Sequence, residues 1–298
     1  MKSYVYPAAT STARALIRYI IDMMNREPER IFYLAFSGGK DSQAIYHLAQ
    51  MANVKFKAFM NFTSADPGEV IRFVKHQYPD VERVPPKISI YNLAKKKGIL
   101  PTRFARWCCA EYKETSGKGK VTILGVRHEE SIKRRSRKEL EMIHGRKTKF
   151  ADNFDQFSEH KETMVTCVGG KDKVLLSPIL DWTEKDVWTF LNEVVKVPHC
   201  EIYDKGYSRV GCILCPMANS RVKRKYAEDY PYAKKKWIET IDYLQNNVWW
   251  KKKGEILDLT AEEYFDYWIS GKSQLQWLAE NKYQRKLFEE EFNKNSNG

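Results

Sequence analysis

Residues 31–49 constrain this chain more than any other stretch. Ile-Phe-Tyr-Leu-Ala-Phe runs directly into Ser37-Gly38-Gly39-Lys40-Asp41-Ser42, and Ala44, Ile45, Leu48 and Ala49 then recur at helical spacing. An apolar run, a glycine turn and an amphipathic run make a strand, a tight loop and a helix start. Such a loop aims backbone N–H groups and the positive end of a helix at one point, where an anion is stabilised. Two adjacent glycines let the backbone approach a phosphate with no Cβ in the way. Ser37 and Ser42 add hydroxyls and Lys40 adds a positive charge. Asp41, a carboxylate inside a phosphate cradle, points to a bridging Mg²⁺. This is not a Walker loop, because Leu34 and Asp41 stand where that pattern needs Gly and Ser or Thr.

The flanking pattern extends the same architecture. Val54–Phe62, Val81–Val84, Val121–Val126 and Val174–Ile179 read as strands. Between them lie a helix opened by Asp66-Pro67-Gly68-Glu69, with Asp66 as its cap, and running to about Tyr78, and a helix from Ser89 to Gly98. A further helix, capped at Thr183, carries Val187, Phe190, Leu191 and Val194 on its apolar face. Strands alternating with helices predict an α/β fold with a doubly wound parallel sheet, whose ligands sit beyond the strand C-termini. The loops after Phe36, Phe62 and Val126 form that working edge. A helix is expected over Ser11–Asn25, and residues 145–170, without clear period, read as a flexible flap. From Ser220 onward the pattern is helical, with a capping box at Thr260-Ala261-Glu262-Glu263 and a frayed final tail. Residues 1–216 are thus expected to form the nucleotide-binding domain and 217–298 a helical C-terminal region.

Charge and cysteine placement sharpen the class. The net charge of +13 is concentrated in two segments, Lys118–Lys149 at +7 and Arg221–Lys236 at +5, which fits either a polyanion partner such as nucleic acid or a solvated basic face. No apolar run reaches bilayer length, and Met1–Thr10 has neither a basic start nor an apolar core, so no membrane contact and a cytoplasmic location are expected. Six cysteines in such a setting favour metal or catalytic roles over disulfides. Cys108, Cys109, Cys212 and Cys215 can close a zinc site or hold a [4Fe–4S] cluster. Adjacent cysteines favour the cluster, since neighbouring thiolates can take different iron corners, and Arg106 would offset its charge. Cys167, before the Gly169-Gly170 turn, and Cys200, after His199, are read as ordinary thiols, with a nucleophilic role for either as the alternative.

With these residues in view, the chain resembles the phosphoadenosine-phosphosulfate (PAPS) reductase family of the PP-loop, or ATP pyrophosphatase, superfamily. The matching pieces, besides Ser37–Ser42, are Thr63–Pro67, Pro101–Arg103 through Cys108-Cys109, and Gly125-Val126-Arg127 with Glu130, Ser131 and Arg134. Pro178, Trp182 and Asp186–Trp188 follow, and then Tyr203–Tyr207 through Cys215-Pro216. The cysteine quartet is similar to the cluster-bearing branch, which includes the adenylylsulfate (APS) reductases and the DndC-type proteins of DNA phosphorothioation. The resemblance implies an adenine-nucleotide α-hydrolase-like fold and an adenine nucleotide, ATP or a sulfated relative. It implies nucleotide contacts from Ser37, Gly38, Gly39, Lys40, Asp41, Ser42, Thr63, Asp66, Gly125 and Arg127. Catalytic roles fall to Lys40, Asp41, Arg127 and Arg134, and a sulfur donor or redox protein is implied as partner, with oligomerisation open. The reductases attack sulfur with a cysteine in a C-terminal tail, and this sequence has none after Cys215. The expected activity is therefore ATP-dependent activation of a substrate for sulfur transfer, with sulfite-forming reduction and a non-catalytic nucleotide-binding subunit as the alternatives.

Overall fold

The computed structural model describes residues 31–113, 116–117, 120–138, 140–143, 163–164, 173–249 and 259–281. The expected Ser11–Asn25 helix, most of the 145–170 flap, Cys167 and the final tail lie outside them. The chain divides into two compact units, one of residues 1–86 and 107–211 and the other of residues 87–106 and 212–298. The second unit therefore takes in residues 87–106 as well as the C-terminal helices.

The first unit is built on a seven-stranded sheet. Its strands are β1 (Phe32–Ala35), β2 (Phe56–Asn61), β3 (Glu82–Val84), β4 (Val121–Ile123), β5 (Leu140–Ile143), β6 (Thr163–Met164) and β7 (Lys173–Leu176), in the spatial order β3-β2-β1-β4-β7-β5-β6. The five strands from β3 to β7 pair in parallel, with Leu34 opposite both Ala58 and Ile123. Parallel strands are buried on both faces, which is why they read as short continuous apolar runs. Phe32, Leu34, Ile123 and Leu176 are each at most 1% exposed.

Helices α1 (Lys40–Met51) and α2 (Gly68–Gln77) connect the strands on one side of β1. The order then jumps from β3 across to β4, so β1 and β4 flank the switch point where their outgoing loops diverge and leave a crevice. The doubly wound expectation holds for these five strands. It missed β5, which runs antiparallel to β7, and β6, which pairs with β5 in parallel. Two to four residues without alternation give too little pattern to reveal a strand.

Two local expectations need correction. Asp66 does not cap α2, whose N-cap is Pro67 with no side-chain hydrogen bond. One Asp66 carboxylate oxygen instead accepts the Thr63 N–H at 2.6 Å and the Thr63 hydroxyl at 3.1 Å, closing a turn of its own. After α3 (Ile90–Lys97) and α4 (Trp107–Tyr112), helix α5 (Glu184–Thr189) is capped at Thr183 by a full capping box, then widens into a π-helical turn over Phe190–Val195. The wider turn keeps Val187, Phe190 and Leu191 buried but rotates Val194 outward, where it is 44% exposed.

The second unit is helical. It holds α3, with Ser89 as N-cap and Gly98 as a left-handed C-cap, together with α6 (Ser220–Asp229), α7 (Pro231–Leu244) and α8 (Ala261–Ser270). The Thr260–Glu263 capping box opens α8 as the spacing requires. Trp237, 1% exposed, anchors this core, with its ring 5.0 Å from Tyr91 and 4.9 Å from Trp268. The C-terminal aromatics thus mostly fill a core.

Candidate active site

Ser37–Gly39 leaves the end of β1 and turns into α1 inside the first unit. Gly38 sits at φ +75°, and a Cβ there would lie 2.9 Å from a methyl of the fully buried Val74. Gly38→Ala is therefore expected to destabilise the protein by about 1–3 kcal/mol, read from the urea midpoint, because both left-handed strain and overpacking oppose it. Gly39 is pressed from the other side, with Val210 and the Tyr203 hydroxyl within 3.3 Å of where its Cβ would stand.

Ser42 pins this loop rather than facing out of it. Its hydroxyl donates to the Gly39 carbonyl at 2.8 Å and accepts from the Ser37 N–H at 3.1 Å. Ser37 is exposed, and its hydroxyl donates to the Ser42 oxygen at 3.2 Å. Of the two serines, Ser37 is the one placed to meet a ligand.

A cleft of about 460 Å³ opens beside the loop, a size that fits a nucleotide. It is lined by Ser37, Gly39, Lys40, Asp41 and Ser42 from the first loop, and by Gly125, Arg127, Glu129, Glu130 and Arg134 from the segment after β4. Lys40 is only 3% exposed, and its ammonium donates to the Ser208 carbonyl at 3.0 Å and lies 3.3 Å from Glu184 and 3.6 Å from Asp41. Its backbone N–H, one of the orphan donors of the α1 N-terminus, donates to the Tyr203 hydroxyl at 2.8 Å. Burial raises the Tyr203 pKa and outweighs the opposing effect of that bond, so the phenol stays protonated.

Arg127, 3% exposed, ties the two loops together. Its Nε donates to Asp41 at 2.6 Å, and its Nη1 donates to Glu129 at 2.7 Å and to the Trp182 carbonyl at 3.3 Å. Burial works against the charge, but Asp41, Glu129 and Glu130 outweigh it and hold the guanidinium above its ordinary pKa. Among the described residues Nη2 makes no hydrogen bond. Arg134 reaches the same cleft and pairs with Glu130. A Cβ on Gly125 would lie 2.7 Å from the Asp41 carbonyl oxygen, so glycine is what lets the β4 loop touch the first turn of α1.

The structure thus brings together Ser37, Gly39, Lys40, Asp41, Ser42, Gly125, Arg127 and Arg134 around one cleft, with Gly38 supporting the loop from behind. Thr63 and Asp66 do not line it and are engaged with each other. Sequence reasoning did not assign Tyr203, Ser208, Arg209, Glu129, Glu130 or Glu184 to the site. Tyr203–Tyr207 was visible only as part of a family-like block.

The cysteines divide between the units. Cys108 and Cys109 occupy the first turn of α4 in the first unit. Cys212 and Cys215 share one tight turn in the second, closed by the Cys215 N–H on the Cys212 carbonyl at 3.2 Å. Among the described residues no group of three or more His, Cys, Asp or Glu side chains is assembled to hold a metal. Cys200 is fully buried, and burial pushes its thiol pKa up, the opposite of an activated nucleophile. The ring of His199 bonds Asp204 at 2.9 Å.

Several known proteins are similar to this chain. An uncharacterized protein of Methanocaldococcus jannaschii is 30% identical over 73% of the chain and 51% of its own length. A second from the same organism is 26% identical over 74% and 44%. The chain spans about half the length of these curated relatives. Adenosine 5'-phosphosulfate reductase of Allochromatium vinosum is 23% identical over 70% of the chain and 76% of that protein. Among solved structures, the phosphoadenylyl-sulfate reductase of Candida auris in its phosphate complex aligns with a TM-score of 0.44 at 14% identity, over 67% of this chain and 87% of that one. No described helix is long and apolar enough to cross a membrane. The model of the phosphoadenosine phosphosulfate reductase domain matches residues 31–218, which include every residue lining the cleft, and the chain belongs to that family.

Proposed function

We propose that the protein is an ATP pyrophosphatase of this family that adenylates a substrate for sulfur transfer, in the manner of the DndC-type proteins. The observation that carries the reading is the meeting of the Ser37–Asp41 loop with Arg127 in one cleft, where buried cations stand beside carboxylates. A carboxylate at a phosphate path is what a Mg²⁺ bridging to ATP uses, since that ion takes one or two carboxylates and fills its shell with phosphate oxygens and water. Asp41 and Glu184 are the carboxylates nearest Lys40.

In this reaction a substrate oxygen attacks the α-phosphorus, the bond to the bridging oxygen breaks, and pyrophosphate leaves with that electron pair. The α1 N-terminus and Ser37 hold the phosphates. Lys40, Arg127 and Arg134 offset the charge that grows on the leaving group. Tyr203 and Ser208 hold the Lys40 backbone and side chain in place, which fixes the position of that charge.

The cluster rests on the Cys108-Cys109 and Cys212–Cys215 sequence pattern, and no step above depends on it. Iron and acid-labile sulfide measured after anaerobic purification test it directly, with zinc as the alternative outcome.

The decisive assay is pyrophosphate release from ATP in the presence of DNA or RNA and a sulfur donor. Ser37→Ala and Asp41→Ala are each expected to reduce it about 100-fold or more. Sulfite from APS or PAPS with no pyrophosphate from ATP would replace this reading by the reductase one, which the named curated reductases favour. Tight nucleotide binding with neither product would leave a non-catalytic subunit.

A further inference from the structure

The second unit has a cavity of its own, about 430 Å³, which the ATP reaction does not use. Its wall is aromatic and fixed in place. Trp268 donates its indole N–H to the Pro101 carbonyl at 2.8 Å, and Trp249 donates to the Gly98 carbonyl at 2.7 Å. The Phe104 ring at the rim is fully exposed and makes no ring contact among the described residues.

Set into this apolar wall is Lys223 of α6, 4% exposed and without a hydrogen bond or ion pair for its ammonium among the described residues, though the Cys215 thiol is near enough to act on its charge. A buried, unpartnered charge is costly, and an anionic ligand repays that cost. Arg103 stands on the same wall, its guanidinium 3.4 Å from the Pro216 and Ala218 carbonyls. Two cations and an exposed aromatic face in one cavity suit a ligand with an anionic end and a flat body.

The surroundings narrow the source. Lys225 and Lys236 are paired with Asp229 and Glu239 and Lys234 lies over the Phe265 ring, whereas Arg221 and Arg224 on α6 and Lys235 on α7 are exposed and carry no ion pair among the described residues. None of these lines the cavity, so a free small molecule inside it does not meet them, while a longer phosphate chain can.

We propose that this cavity takes one nucleotide of a single-stranded polynucleotide, with its phosphate on Lys223 and Arg103 and its base against Phe104. The proposal gives the nucleic-acid part of the functional reading a site, and it stands apart from the ATP chemistry.

A fluorescein-labelled 12-mer of deoxythymidine tests it on the full chain. This probe has no adenine to compete for the Ser37–Ser42 cleft. Its affinity should fall steeply with salt and be unchanged by saturating ATP. Phe104→Ala, at a fully exposed position, should weaken binding about 10-fold, as loss of one base stack does. Lys223→Met should weaken it about 10-fold and also raise the urea midpoint, because it removes an unpartnered buried charge. Arg221→Ala with Arg224→Ala should reduce the salt dependence.

Wild-type affinity in both Lys223→Met and Phe104→Ala would overturn the proposal. So would competition by thymidine monophosphate as strong as by the strand, which would assign the cavity to a free nucleotide. Loss of iron from Lys223→Met with binding intact would assign Lys223 to the Cys212–Cys215 thiolates instead. Loss of pyrophosphate release with strand binding intact would strike the ATP reading alone and support the separate site.

Discussion

Gly125→Ala is expected to cut nucleotide turnover about 100-fold while the protein still folds. The added methyl would stand 2.7 Å from the Asp41 carbonyl oxygen and 2.8 Å from its carbonyl carbon, so backbone rather than a side-chain tip has to move. The Gly125 φ is not in the left-handed region, so the effect is one of space and not of torsional strain. Displacing the first turn of α1 from the β4 loop shifts Lys40 and Arg127 relative to each other. Misplacement of reacting groups by about 1 Å costs on the order of 100-fold. Overpacking of this kind costs about 1–3 kcal/mol in stability. Pyrophosphate release and the urea midpoint, measured on the same preparation, check both. Turnover within twofold of wild type would show that the two loops need not touch.

Arg127→Met is expected to lose turnover about 100- to 1000-fold, as removal of one preorganised donor does. It should also destabilise the nucleotide-free protein by about 3 kcal/mol, since a buried ion pair broken from one side leaves the other charge poorly compensated. Lys40 lies 3.6 Å from Asp41 and keeps the loss to the lower end of that range. Arg127→Lys separates the two effects. A lysine restores the charge but cannot bond Asp41 and Glu129 at once through a planar fork. Stability should therefore recover further than turnover. Equal recovery of both would mean that Arg127 acts as charge alone.

The parts of this molecule readable in its sequence are those written by near neighbours. Ser37–Ser42 announced its loop because strand, glycines and helix follow one another. Ser89 with Gly98, and Thr260 with Glu263, announced helix ends because capping is a three-residue affair. The far wall of the cleft was not readable. Tyr203 and Ser208 meet Lys40 across 163 and 168 residues, and nothing local in their sequence marks them as its partners. Helix α4, which carries Cys108 and Cys109, is six residues long and too short to show a period. Val194 was misplaced because a 3.6-residue period cannot foresee a π turn. Asp66 was read as a helix cap because its sequence neighbourhood allows both a cap and a bond to Thr63, and only the packed chain selects between them.

The charged wall of the cleft has a consequence for how a ligand arrives. Lys40, Arg127, Arg134 and Arg209 face Asp41, Glu129, Glu130 and Glu184, four cations against four carboxylates. Beyond a few ångströms these fields cancel, so the cleft of a strongly basic protein presents almost no attraction at a distance. Capture there depends on short-range fit, and its rate should change little between dilute and concentrated salt. A polyphosphate entering bare would upset the balance most, whereas one arriving with its divalent ion, its charge roughly halved, would upset it less. The cleft is in this sense tuned to a guest that arrives partly neutralised.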